Sequence, residues 1–206
     1  MPVLELVTWP NKPKTASFKL DVPYNSQLDN SPNKGQGEGW RQCNATCAAM
    51  LCKYFYPTLW THYKDFANGF LDVLRPFGDT TDHAAITKAL QSIGIESYFS
   101  YSASEADLAH ALFSGTPVLT GTKYKAGGHM ILITGRTPEL VFAHNPYGER
   151  DGISDTWIRT GGTSGKDEVL TPNWLRHCFV DMGPESGWAR FVTAVDGKPT
   201  GVKANL

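Results

Sequence analysis

The sequence predicts an α+β domain in which a helical half packs against an antiparallel sheet. Three observations lead there. Helical periodicity dominates the chain up to about residue 94, strand-like segments dominate after it, and two of those strands are joined by a link short enough for a hairpin. A doubly wound parallel sheet would instead alternate strand and helix along the chain.

Residues 1–17 contain Pro2, Pro10 and Pro13 with little periodicity and read as an irregular arm, which leads into a short strand at 18–22. Residues 30–39 (Asn-Ser-Pro-Asn-Lys-Gly-Gln-Gly-Glu-Gly) read as an exposed loop that delivers Trp40 to an apolar, Ala-rich helix over 42–55. Ala45, Ala48, Ala49, Cys52 and Phe55 repeat at helical spacing there, and Pro57 forbids continuation. Further helices are expected over 60–74, stopped by Pro76, over 82–93, ended at Gly94, and over 104–113, opened by the capping pair Ser104 and Asp107. Strands are expected at 95–101, 117–121, 129–135, 140–145 and 188–195, all rich in β-branched or aromatic residues. Residues 161–165 read as a flexible loop, and Thr171 caps a short helix that begins at Pro172. No internal repeat is present.

With 206 residues, 41% of them hydrophobic, the chain suits one globular domain over 1–206. A domain of that size buries on the order of 70% of its unfolded surface, enough for a core without staples. Nineteen basic residues against 20 acidic ones give a net charge of -1, and no run of like charge marks a nucleic-acid or lipid surface. No apolar stretch is long enough to span a bilayer, and no secretory signal pattern opens the chain, so a monomer made in a cytoplasm is expected. Cys43, Cys47 and Cys52 crowd one helix and Cys178 lies far away, which is a reduced-compartment pattern rather than a disulfide framework.

Cys43 falls in the first turn of the 42–55 helix, where unpaired backbone N–H groups and the positive end of the dipole favour thiolate. Such a nucleophile needs a base, normally His. The strands around His129 and Asn145 are linked across Arg136, Thr137 and Pro138. If Gly135 pairs with Glu139, opposed residue numbers sum to 274, and His129 faces Asn145 within hydrogen-bonding reach. A slip of one residue would oppose His144 to His129 instead. Neither register places Cys43 beside them. The order of nucleophile on an early helix and His and Asn on a later hairpin is that of papain-like peptidases.

The segments Leu20-Asp-Val-Pro-Tyr-Asn-Ser-Gln27, Cys43-Asn-Ala-Thr-Cys-Ala-Ala-Met, Gly127-Gly-His129 and Asn145-Pro-Tyr-Gly148 resemble the bacteriocin-processing-peptidase-like branch of the papain superfamily, over roughly residues 18–195. The resemblance implies a papain-like fold and thiolate acyl transfer without metal or organic cofactor. It implies Cys43 as nucleophile, His129 as general base and acid, Asn145 as the orienting residue and Gln27 as side-chain oxyanion donor. Asn44-Ala45-Thr46 stands where the family usually has Gly-Pro-Thr, and Gln36 and Gln42 are further oxyanion candidates. Related lone domains include phage endolysins and bacterial wall hydrolases, so the implied substrate is the peptidoglycan stem peptide, cleaved for cell lysis. The alternatives are a soluble peptide such as a double-glycine leader, or a silent peptide- or glycan-binding module.

Blander readings account for much of the rest. Cys47, Cys52 and Cys178 suit small buried hydrophobes. A zinc site from Cys43, Cys47, His129 and His144 is disfavoured, because strand alternation points the two histidines to opposite faces and no Cys-x-x-Cys pair exists. Lys166 is followed by Asp167 rather than Ser or Thr, so the Gly161–Gly165 stretch is no phosphate loop. Trp157, Trp174 and Trp188 suit core or sheet positions, whereas Trp40, just before Cys43, is expected to line a substrate cleft.

Overall fold

The computed structural model describes residues 17–31, 38–124, 127–151 and 154–203. The expected N-terminal arm up to residue 16 and the middle of the 30–39 loop, with Gln36, lie outside them. The chain order begins with strand β1 (Phe18–Lys19), 3-10 turns at Gln27–Asp29 and Gly39–Arg41, and helices α1 (Cys43–Phe55), α2 (Ala67–Leu74) and α3 (His83–Ser92). Next come β2 (Ile95–Ala103), α4 (Glu105–Phe113), β3 (Val118–Tyr124), β4 (Gly127–Arg136) and β5 (Val141–His144). The last part holds β6 (Gly148–Asp151), β7 (Thr156–Thr160), β8 (Glu168–Leu170), α5 (Pro172–Cys178), β9 (Gly187–Val195) and β10 (Lys198–Pro199).

Caps fix the helix starts. The Asp82 carboxylate accepts the N–H groups of Ala84 and Ala85 at the head of α3, and Ser104 and Asp107 satisfy each other's backbone donors at the head of α4. The expected 60–74 helix forms only in its second half. Trp60 adopts a left-handed φ of 56°, and its ring lies so close over Gly69 that an added Cβ there would meet it at 2.2 Å. Packing of that ring holds the segment before α2 in turns.

Eight described strands form one sheet, and every pairing in it is antiparallel. Strands β2, β9, β3, β4, β5 and β8 lie side by side in that order, while β1 adds to β4 and β10 to β9. Between β4 and β5 the register shifts at Thr134, which has no opposite number on β5. Alternation along β4 sends Met130 and Leu132 into a core shared with α1, α2 and α3, and Ile131 and Ile133 into a second core with α4 and α5. Helices therefore cover both faces, which is why β4 reads as a continuous apolar run. No described helix is long and apolar enough to cross a membrane.

Strands β6 and β7, a separate hairpin, and the three-residue β8 were not expected. The 161–165 segment is a set of docked turns rather than a flexible loop: Gly161 N–H donates to Tyr147 O at 2.9 Å, and Gly165 O accepts from Asn145 N–H at 2.8 Å.

Candidate active site

Cys43 is the first residue of α1, preceded by Gln42 at a cap position where no side chain satisfies the helix donors. The sulfur receives backbone N–H groups of Met130, Asn44 and Cys43 itself. Met130 follows His129 on β4, and its carbonyl accepts the Cys47 thiol at 3.5 Å, so the head of α1 docks where His129 leaves the sheet. Cys43 and His129 line one cavity of about 440 Å³.

His129 Nε2 lies 2.9 Å from Asn145 Oδ1. That oxygen also accepts the Tyr147 N–H at 3.2 Å, and Asn145 Nδ2 donates to Glu168 Oε2 at 3.1 Å, which fixes which end of the amide faces the ring. The imidazole is thereby held as the Nε2–H tautomer, leaving Nδ1 free to take a proton. Tyr124 stacks on His129 with centroids 5.6 Å apart, and Trp157 meets it edge-on at the same distance, so the His–Asn bond is shielded from water. The Arg150 guanidinium lies over the Tyr124 and Trp157 rings and pairs with Asp155.

The expected register needs correction. Arg136 pairs with Val141 and Leu132 with His144, sums of 277 and 276 rather than 274, because residues 137–140 form a four-residue link in which Thr137 N–H donates to Leu140 O. Asn145 thus stands two residues away from direct opposition to His129. It reaches the ring as a diagonal neighbour on the same face. His144 points the other way and is spent on backbone: Nε2–H donates to Val22 O at 2.8 Å and Nδ1 accepts from Asp167 N–H at 3.2 Å.

Burial pushes the Cys43 thiol above its ordinary range, and the three backbone donors pull it down without offsetting that. Burial also pulls His129 down to about 4, opposed by the Asn145 bond and reinforced by Arg150. The resting pair is therefore neutral thiol and neutral imidazole, not the thiolate that the helix terminus alone suggests.

Gln27 is buried, its backbone N–H donating to Pro146 O at 2.8 Å and its side-chain Nε2 to Gly39 O at 2.8 Å, while Oε1 has no partner among the described residues. Gln42 is committed inward, its Oε1 accepting from Asn30 Nδ2 at 3.1 Å. Trp40 stands 64% exposed and is not among the residues lining the cavity; Trp188 is, together with Met130, Phe179 and Met182. Sequence reasoning missed Glu168, Tyr124 and Trp157. A lone charged residue in a three-residue strand carries no periodic signal, Trp157 reads as an ordinary core or sheet residue, and Tyr124 lies beyond the strand expected at 117–121.

The sequence family described as Peptidase_C39 like matches residues 19–169. The chain belongs to that family of cysteine peptidases. This C39-like protein matches no curated protein sequence. Its fold is shared by a double-glycine motif protease from an AMS/PCAT transporter, solved with a leader peptide, at 12% identity and a TM-score of 0.51, covering 86% of this chain and 94% of the other. A C39-like peptidase from Bacillus anthracis aligns at 15% identity and a TM-score of 0.54, covering 87% of this chain and 99% of the other. The C39-like chain thus has the papain-like α+β fold.

Two predictions arise at this site. A Cβ at Gly165 would meet Asn145 O at 2.0 Å and Gly148 O at 2.8 Å, both backbone. Gly165→Ala is expected to destabilise the protein by about 1–3 kcal/mol in urea unfolding and to lower turnover per folded molecule, because the atoms that must move carry Asn145. Wild-type stability and turnover would show that this close approach is unimportant. The second concerns pH. His83 and His129 are held at about 4, and His144 is lowered, chiefly by burial in each case. Groups with depressed folded values contribute stability that is present above about pH 6.5 and lost as pH falls through the folded value, which for His83 and His129 lies at about 4. Glu168, raised to about 7 by burial, acts oppositely, contributing fully below its ordinary 4.5 and losing that contribution as pH rises through 7. Three groups outweigh one, so the melting temperature is expected to fall from pH 6.5 to pH 4; a flat profile would contradict these assignments.

Proposed function

We propose that the protein is a cysteine endopeptidase in which Cys43, His129 and Asn145 act as one machine. The observation that carries this is the 2.9 Å bond from His129 to Asn145 at the wall of the cavity that also holds Cys43. His129 Nδ1 takes the thiol proton as Sγ attacks the carbonyl carbon, and Nδ1–H then protonates the leaving amine. Water, deprotonated by His129, releases the acyl group from the thioester. The oxyanion is assigned to the Cys43 backbone N–H and to Gln27, whose carboxamide uses one N–H on Gly39 and keeps a second. No step calls on a metal or organic cofactor.

The substrate reading best supported is a soluble peptide with bulky apolar residues near the scissile bond. The cavity beside Cys43 has walls of Met130, Phe179, Met182 and Trp188, and burying such side chains there is favourable. A double-glycine leader remains within this reading, its apolar residues lying outside the glycine pair. A second reading is the peptidoglycan stem peptide, cleaved for lysis after release of a cytoplasmic monomer. Exposed Trp40, Tyr101 and Trp188 favour it, since flat rings stack on sugar faces.

The test incubates the protein with fluorescent casein, a double-glycine leader peptide and purified peptidoglycan, before and after thiol alkylation, and identifies new termini by mass spectrometry. Alkylation-sensitive cuts beside large apolar residues support the first reading. New ends within stem peptides support the second. Intact substrates in all three arms would leave a silent binding module and overturn the peptidase.

A further inference from the structure

Beneath the His129–Asn145 pair lies a residue that the proposed reaction does not yet use. Glu168 on β8 is 8% exposed, and both of its carboxylate oxygens accept from buried donors: Oε2 from Asn145 Nδ2 at 3.1 Å and Oε1 from the Arg150 backbone N–H at 2.8 Å. The Asn145 backbone is pinned independently, its N–H on Gly165 O and its carbonyl under the Tyr24 hydroxyl at 3.0 Å. Only the orientation of the side-chain amide is left to choose. Turning it over would set NH₂ against the Tyr147 N–H and against His129 Nε2–H, and would press an amide oxygen on the Glu168 carboxylate.

We infer that Glu168 is a positioning residue, which selects the Asn145 orientation that holds His129 as the Nε2–H tautomer and so frees Nδ1 for the Cys43 proton. The inference rests on the reading of Cys43, His129 and Asn145 as the reacting set. In its ionised form Glu168 is the stronger acceptor for Asn145, and it passes part of its charge through the amide dipole to the imidazole. The groups facing it are Glu149 and Arg150 on β6, Tyr124 on β3 and Tyr24 after β1.

Polarity makes the inference testable by exchange. In Glu168→Gln, the new NH₂ must oppose either Asn145 Nδ2 or the Arg150 N–H. In Asn145→Asp, two carboxylates meet. In the double variant Asn145→Asp/Glu168→Gln every bond is restored, and only the one between positions 145 and 168 has its polarity reversed: the Gln amide donates to Asp and accepts from Arg150, and Asp accepts from His129 and Tyr147.

The readout is the rate of Cys43 carbamidomethylation by iodoacetamide from pH 5 to 9, followed by mass spectrometry of the Cys43 peptide, with casein turnover alongside. Each single variant is expected to lose about tenfold to a hundredfold in casein kcat with little change in KM. The wild-type alkylation profile is expected to carry a step near pH 7 that Glu168→Gln lacks, and the casein kcat of the double variant to return within about threefold of wild type. Unchanged kcat and profile in Glu168→Gln, or a double variant no better than the worse single one, would overturn the inference. Should Glu168→Gln not fold, the comparison of Asn145→Asp with the double variant decides. A His129→Gln chain alkylated at the wild-type rate would instead overturn the Cys–His reading underneath.

Discussion

Cys43→Ala is expected to abolish turnover of casein, by about 10⁴-fold or more, while leaving the fold and melting temperature close to wild type. The thiol is half-buried at the wall of the cavity, so its loss opens little space in the core and removes one polar contact set. Cys47 lies one turn further along α1 but gives its thiol to the Met130 carbonyl, deep in the apolar core, and cannot stand in. Steady-state assays on both chains, with melting curves as a control for folding, decide the matter. Residual activity within tenfold of wild type would move the nucleophile elsewhere.

His129→Gln should be nearly as severe, with kcat/KM lowered by about 10³–10⁴-fold. The Gln amide can still donate to Asn145 Oδ1 and so preserves much of the geometry, but it has no group that accepts and returns a proton at neutral pH. Because both partners rest neutral, the thiol depends on the imidazole at the moment of attack rather than beforehand. The loss should therefore shrink as pH rises and hydroxide takes the thiol proton, which makes the ratio of wild-type to variant rates across pH the informative measurement. A pH-independent ratio would argue for an orienting role alone.

Much of this arrangement is legible in the residues themselves. Pro57, Gly94, the Asp82 cap and the Ser104–Asp107 pair bound α1, α3 and α4 by local chemistry that acts within a few residues, and the structure keeps those bounds. Cys43, His129 and Asn145 could be singled out from their types and order, and the last two do meet, though as diagonal neighbours rather than in the expected direct opposition. What escaped depends on contacts distant in sequence. The turn run before α2 exists because the Trp60 ring needs the bare backbone of Gly69, and the docked turns around Gly165 exist because Asn145 and Gly148 leave no room for a Cβ. Glu168 escaped for the same reason. Its value lies in two donors on β6 and at the end of β5, and neither is near it in sequence.

The unmatched Thr134 on β4 has an effect out of proportion to its own contacts. Nearer the link, Gly135 and Arg136 pair in the register that sums to 277; beyond Thr134 the sum is 276. Were the odd register to run on, Asn145 would oppose Leu132 and point with it towards α1, while His144 would turn to the side of His129. A single supernumerary residue therefore acts as a reading-frame correction, deciding which of two adjacent polar residues becomes the partner of the His129 ring. Lengthening or shortening the 137–140 link by one residue, without a compensating change at position 134, would exchange an orienting amide for a second imidazole while altering no residue of the site.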